Sequence, residues 1–147
     1  MKVYIGSDHR GFKLAQSLEK WLKKQGFIVT NVGAKKLDPN DDYVDYAVAV
    51  ARKIGGSDDS RGVVVCGSGV GVDIAANKVK GVRCGLGFSE KQVTAIRHDD
   101  NINVLALAAD FLTVEQAQKL VTVFLQTPFS GEERHRRRIG KITKIDH

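Results

Sequence analysis

The run Gly62-Val63-Val64-Val65-Cys66, followed at once by Gly67-Ser68-Gly69-Val70-Gly71, constrains the fold of this chain more than any other segment. Consecutive apolar side chains leave no solvent-facing row, so the run reads as a strand covered on both faces. A strand of that kind belongs to a parallel sheet with helices on either side. The rest of the chain agrees. Val3-Tyr4-Ile5, Phe27 to Val32, Val82 to Gly87 and Val104 to Ala108 read as further strands. Between them lie helical patterns, with Leu14, Leu18, Trp21 and Leu22 on one face and Val44, Ala47, Val48, Ala51 and Ile54 on another. Gly26 stops the first helix, Ser89 with Gln92 and Thr113 with Gln116 form capping-box patterns, and Pro128 ends the helix lined by Leu120 and Phe124. The expected fold is α/β: a three-layer αβα sandwich, Rossmann-like, around a five-stranded parallel sheet.

The 147 residues fit one domain, taken as residues 1–147, without a low-complexity linker or repeat. The net charge of +6 is concentrated in the basic segment 130–147, around Arg134-His135-Arg136-Arg137-Arg138. That segment reads either as a solvated basic tail or as a phosphate clamp. Arg134 and Arg138 share a face if it is helical. No nucleic-acid module is present, so nucleic acid is not an expected partner. No apolar run reaches the roughly 18 residues of a membrane span, and the N-terminus lacks a signal-peptide pattern. A cytoplasmic protein with Cys66 and Cys84 reduced is the expectation.

In sheets of this class ligands gather at the carboxyl ends of the strands. The candidate segments are therefore Asp8-His9, Cys66 to Gly71, Phe88-Ser89 and the turn around Asp110. Three glycines in five residues let the loop turn tightly and aim its amides into one concavity, where a helix start adds positive potential. That suits a phosphate or a reaction oxyanion, although taken alone the loop reads first as a tight turn without a ligand. The glycine spacing matches neither a dinucleotide fingerprint nor a P-loop. Cys66 stands beside converging N–H donors, which favour a thiolate and make it a candidate base or nucleophile. By itself it is also an ordinary small buried residue, and Cys84 reads only as that. Asp8 and His9 suit proton management or hydroxyl binding, or a helix cap with a surface histidine.

As an ordered set these segments resemble the ribose-5-phosphate isomerase B family, which includes the galactose-6-phosphate isomerase subunits. The resemblance spans nearly the whole chain. It is carried by Gly6-Ser7-Asp8-His9, Asp42-Tyr43, Cys66 to Gly71 with Ile74-Ala75-Ala76-Asn77-Lys78, Asn103-Val104-Leu105, and Arg134-His135 with Arg138. It implies aldose–ketose isomerisation of a sugar phosphate through a cis-enediolate, with no metal and no organic cofactor. Cys66 would move the proton between C1 and C2. The amides of Gly67, Ser68, Gly69, Val70 and Gly71 would hold the enediolate oxygen. Asp8 and Tyr43 would contact the sugar, and His9, Arg134 and Arg138 the phosphate. The resemblance also implies a homodimer, or a dimer of dimers, with sites completed across the interface.

The sequence departs from that family in places that matter. Some relatives place a glutamate base after the glycine loop; here Val72 stands there, beside Asp73. The family's ring-opening histidine and following asparagine fall, without a gap, at Asp99 and Asp100, whereas His98 precedes them. Both His98 and Asp99 can move a proton, so both are candidates, with Asp100 among the substrate contacts. Asp110 stands where many relatives have a phosphate-binding arginine, which reverses the local charge and points to a different substrate or anchoring. Val44 replaces a frequent proline, a structural difference. Loss of the His-Asn pair leaves a non-catalytic phosphosugar-binding or regulatory homologue as the alternative.

Overall fold

The computed structural model describes residues 1–146, so only the final residue of the 130–147 segment lies outside it. Among the described residues strands and helices alternate until two helices close the series of eleven elements: β1 (Lys2–Ser7), α1 (Phe12–Lys24), β2 (Ile28–Asn31), α2 (Tyr43–Ile54), β3 (Ser60–Cys66), α3 (Val70–Ala76), β4 (Cys84–Leu86), α4 (Glu90–Asp100), β5 (Val104–Ala108), α5 (Val114–Gln126) and α6 (Glu133–Thr143). The strands form one parallel sheet in the order β2-β1-β3-β5-β4.

The apolar run of β3 lies near the centre of that sheet, where alternate side chains enter two different cores. Val63 and Val65 pack with Leu14, Leu18, Leu105, Leu107, Val121 and Phe124 beneath α1 and α5. Val64 and Cys66 pack with Ala47, Val50, Ile54, Val72 and Ala106 beneath α2 and α3. This is why β3 is apolar at every step rather than at every second one. The helices are bound to the sheet by that burial, since the α1, α2 and α5 stripes match the helical period.

The helix stops and starts follow local chemistry. Gly26 adopts φ 89° just past α1, and Thr113 with Gln116 forms a complete capping box on α5. Ser89 caps α4 by accepting the Gln92 N–H, but the Gln92 side chain turns to Phe88 N–H and Leu86 O, so the reciprocal half of that box is absent. The strand expected over Phe27 to Val32 is shorter, although Val32 N–H still donates to Ile5 O at 2.8 Å. Val82 to Gly87 narrows to Cys84–Leu86: just before it the Arg83 N–H goes to the Asn103 side chain, and along its outer edge Asn77 takes up both the Cys84 N–H and C=O. Among the described residues no helix is long and apolar enough to cross a membrane.

Candidate active site

The parallel register sets the carboxyl edge of the sheet. Ser7 pairs with Val65 and Cys66 with Ala108, so Asp8, Gly67 and Ala109 leave three adjacent strands side by side. The backbone ties them together: Ala109 N–H donates to Cys66 O at 2.9 Å and Asp110 N–H to Gly67 O at 3.0 Å. Asp8 is buried, and its Oδ1 accepts the Gly11 N–H at 3.0 Å, closing the turn into α1.

Cys66 lies at the floor of this edge, 4% exposed, with Sγ accepting the Gly69 N–H at 3.2 Å. Gly69 achieves this with φ 75° and ψ −17°, a left-handed conformation that glycine adopts without strain. Val70 and Gly71 already belong to α3, whose first amides have no acceptor within the helix. Ser68 is exposed, and its Oγ accepts the Val70 N–H at 3.4 Å. At seven residues α3 is short, so the loop amides rather than a long helix dipole supply the polarity here. Tyr43, at the first turn of α2, lays its ring against Gly71: a Cβ there would lie 2.7 Å from the ring's Cζ. The Tyr43 ring and the loop fit only because position 71 has no side chain.

His9 is held by a residue that sequence reading missed. Asp41, 4% exposed, accepts both the His9 backbone N–H at 3.0 Å and the Nδ1 of its ring at 2.7 Å. The imidazole is thereby fixed with Nε2 left for a ligand. Asp73 is not available to Cys66. Its carboxylate accepts from Asn77 Nδ2 at 3.0 Å and lies against Cys84; burial pushes its pKa up. Burial, then the charge of Asp73, raises the Cys84 thiol well above its ordinary range, which keeps it neutral.

The remaining candidates lie elsewhere. α4 runs back against the strands, so its C-terminal end meets the start of β5, where Val104 pairs with Gly62. Four residues of strand, about 13 Å, separate that amino edge from Cys66. His98 and Asp99 sit there with α6. His98 Nδ1 bonds Asp99 Oδ1 at 2.7 Å, and His135 Nε2 approaches the same oxygen at 3.6 Å. His135 is buried and held by Ser130 Oγ at 2.6 Å, and Ser130 N–H donates to His98 O at 3.0 Å. The His98 hydrogen bond, reinforced by the charges of His135 and Arg134, keeps the Asp99 pKa below the usual carboxylate value. Arg134 and Arg138 are exposed one turn apart on α6, so the basic segment is a helix rather than a tail. Asp100 lines a separate cavity of about 500 Å³ with Arg83, Cys84 and Ile142, to which the glycine loop contributes nothing.

One chain therefore carries two clusters at opposite edges of its sheet: Asp8, His9, Tyr43 and Cys66 to Gly71 with Asp110, and His98, Asp99, Arg134 and Arg138. Asp8-His9-Asp41 and His98-Asp99-His135 each bring three ligand-type atoms within 4.8 Å. In both groups, however, the histidine Nδ1 is already bonded to a carboxylate. They are built as histidine–carboxylate pairs. Asp41, Ser130 and His135 escaped selection as site residues because their contacts, such as the one across 32 residues from His9 to Asp41, have no local sequence signature.

The ribose/galactose isomerase family profile matches residues 3–142. A probable ribose-5-phosphate isomerase B of Mycoplasma genitalium is 44% identical over 98% of this chain and 95% of its own length. Ribose-5-phosphate isomerase B of Mycobacterium tuberculosis is 38% identical over 99% of this chain and 90% of its own. The crystal structure of the Mycoplasma genitalium ribose-5-phosphate isomerase B with bound ribulose 5-phosphate superimposes with a TM-score of 0.93 at 44% identity, covering 97% of this chain and 94% of that one. In fold and in sequence along nearly its whole length, the chain belongs to the ribose/galactose isomerase family.

Proposed function

We propose that this protein is a sugar-phosphate aldose–ketose isomerase acting on a pentose phosphate of the ribose 5-phosphate type, with Cys66 as the base. The observation that carries the reading is Cys66 Sγ at the floor of the glycine loop, held by the Gly69 N–H at 3.2 Å. A thiolate there takes the C2 proton of the open-chain aldose and leaves an enediolate. Loop amides at Ser68 and Gly71 stabilise the new oxyanion on O1, the O2 proton passes to O1, and the thiol returns its proton to C1 as the C2 carbonyl forms, giving the ketose and restoring the thiolate. Asp8 and Tyr43 meet sugar hydroxyls, and His9, oriented by Asp41, offers Nε2 to the phosphate.

Ring opening is assigned to His98, with Asp99 as its orienting carboxylate. Asp99 accepts the Nδ1–H, so the imidazolium form of His98 gives its Nε2 proton to the ring oxygen, and the anomeric hydroxyl releases its own proton to water as the C1 carbonyl forms. Since these two residues and Arg134 and Arg138 lie about 13 Å or more along the strands from Cys66, a second copy of the chain supplies them. The working site is thus shared in a homodimer.

The test is conversion of ribose 5-phosphate to ribulose 5-phosphate, with a panel of pentose and hexose phosphates, alongside exchange of the C2 proton with solvent deuterium. Wild type should do both. Cys66→Ala should lose on the order of 10³-fold or more in kcat. No turnover of any sugar phosphate by folded protein, or full activity in Cys66→Ala, defeats the proposal. Tight binding without exchange would instead make the protein a phosphosugar-binding module.

A further inference from the structure

The proposed mechanism leaves Arg10 unused, yet its guanidinium lies across the glycine loop. A methyl group at Gly67 would collide with Cζ, Nε and Nη2 of Arg10, so this guanidinium rests directly on the backbone next to Cys66. Its Nη2 is paired with Asp110 Oδ2, whose own residue is bonded to Gly67 through the backbone. Asp110 is thus anchored to the loop and holds Arg10 over it. Both side chains stay open to solvent, at 54% and 40% exposure.

An exposed ion pair of this kind adds little to stability, so the fold does not account for it. Arginine presents five donors in a planar fork, and among the described residues Asp110 is the one acceptor bonded to them. The rest have no bonded acceptor there, and the guanidinium that carries them lies against Gly67, the residue that follows Cys66. The neighbouring side chains already have partners: Asp8 accepts the Gly11 N–H, and the His9 ring is bonded to Asp41. Arg134 and Arg138 lie at the other edge of their own chain.

Resting on the function proposed above, we infer that Arg10 is a substrate-binding residue that grips the phosphate of the incoming sugar, with Asp110 as the positioning residue that keeps its fork over the loop. A dianionic phosphate outcompetes a single carboxylate for the free donors, so the pair opens or shares when substrate arrives. The phosphate does not react, and its charge is the same before and during the proton transfers. Loss of Arg10 therefore weakens binding and spares the chemical step.

The experiment measures kinetics, together with calorimetric binding of ribose 5-phosphate, for wild type, Arg10→Ala, Arg10→Lys and the double variant Arg10→Ala/Asp110→Ala. Arg10→Ala should raise Kd and KM roughly 10- to 100-fold, the range of lost charge-assisted hydrogen bonds, with kcat within about threefold. The inhibition constant of inorganic phosphate should rise in parallel. Arg10→Lys should recover part of the affinity. Without Arg10 the bare Asp110 carboxylate repels the ligand, so the double variant should bind better than Arg10→Ala alone. A merely structural pair predicts no such recovery. Wild type that binds without turnover refutes the proposed function and leaves this inference standing on the binding data. Wild type that turns over while Arg10→Ala keeps Kd and KM within twofold refutes Arg10 alone. A fall in kcat with KM unchanged, or wild type that does not bind, refutes it too.

Discussion

Replacing Gly69 by alanine tests the link between backbone geometry and chemistry, because two separate costs fall at one position. The first is conformational: at φ 75° an alanine pays about 1–2 kcal/mol for a left-handed conformation. The second is crowding. The new Cβ would lie 2.5 Å from Leu86 Cδ1 and 3.1 Å from Ala108 N and Leu107 C. Leu86 can swing aside, but the other two atoms are sheet backbone and cannot, so overpacking adds about 1–3 kcal/mol. The sum, roughly 2–5 kcal/mol, is below the stability of a typical domain, so the variant folds. At roughly 3 °C per kcal/mol for a chain of this size, Tm should fall by about 6–15 °C. Gly56 is the control. It has φ 85° with open space around it, so Gly56→Ala pays only the first cost. The difference between the two melting curves isolates the crowding. Relief of that crowding moves the Gly69 N–H away from Cys66 Sγ, and misplacement on the ångström scale costs on the order of 10²-fold in kcat. Differential scanning calorimetry and turnover of ribose 5-phosphate are the assays. Gly69→Ala matching Gly56→Ala in both Tm and kcat would refute the reasoning.

If each site draws on two chains, mixing inactive Cys66→Ala with inactive His98→Ala should restore about a quarter of wild-type activity. Half the dimers are then mixed, and each of those has one intact site of two; recovery of no activity would return the site to a single chain. Asp41→Asn should weaken phosphosugar binding about 3- to 30-fold by freeing the His9 ring, with Tm lowered by only a few degrees; unchanged Kd by calorimetry would show that His9 needs no orienting. Burial and Asp73 hold Cys84 as a neutral thiol far above neutral pH, so Cys84→Ala should leave the pH–rate profile unchanged. Loss of its alkaline limb would reassign the base. Asp99 has a folded pKa below its unfolded value, so its stabilising contribution is present above the unfolded pKa and disappears as pH falls through the folded one. Urea melts should therefore show Asp99→Asn less stable than wild type at neutral pH and equal to it in strong acid; a gap that persists in acid would place the effect elsewhere.

The β3 run and its loop were legible because their information is local. Apolar continuity reports burial on both faces, and the glycines report backbone geometry, so sheet class, strand count and the place of Cys66 all follow from neighbouring residues. Element ends were less legible. β4 begins only at Cys84, after the Asn103 side chain takes the Arg83 N–H, and the Ser89 box is incomplete because Gln92 finds a better partner one residue back. Neither competition is visible in a window of a few residues. The site shows the same divide more strongly. Asp8, His9 and Cys66 could be picked out as strand-end residues, but Asp41 reaches His9 across 32 positions and Arg10 reaches Asp110 across 100.

The choice between His98 and Asp99 shows why such distances matter chemically. Read along the chain, they are rivals for one role, since either a ring nitrogen or a carboxylate can move a proton. In the fold they are bonded at 2.7 Å, and the proposed mechanism turns the contest into a division of labour. The hydrogen bond that holds Asp99 ionised makes it a poor proton donor, while the same bond fixes the His98 tautomer and aims its other nitrogen outward. Asp110 undergoes a similar change of meaning. As a lone carboxylate at the mouth of the proposed anion site it would oppose substrate binding. Bound to Arg10 and pinned to Gly67 its charge is offset and a guanidinium is held over the loop, so the local electrostatics belong to the pair and not to the residue.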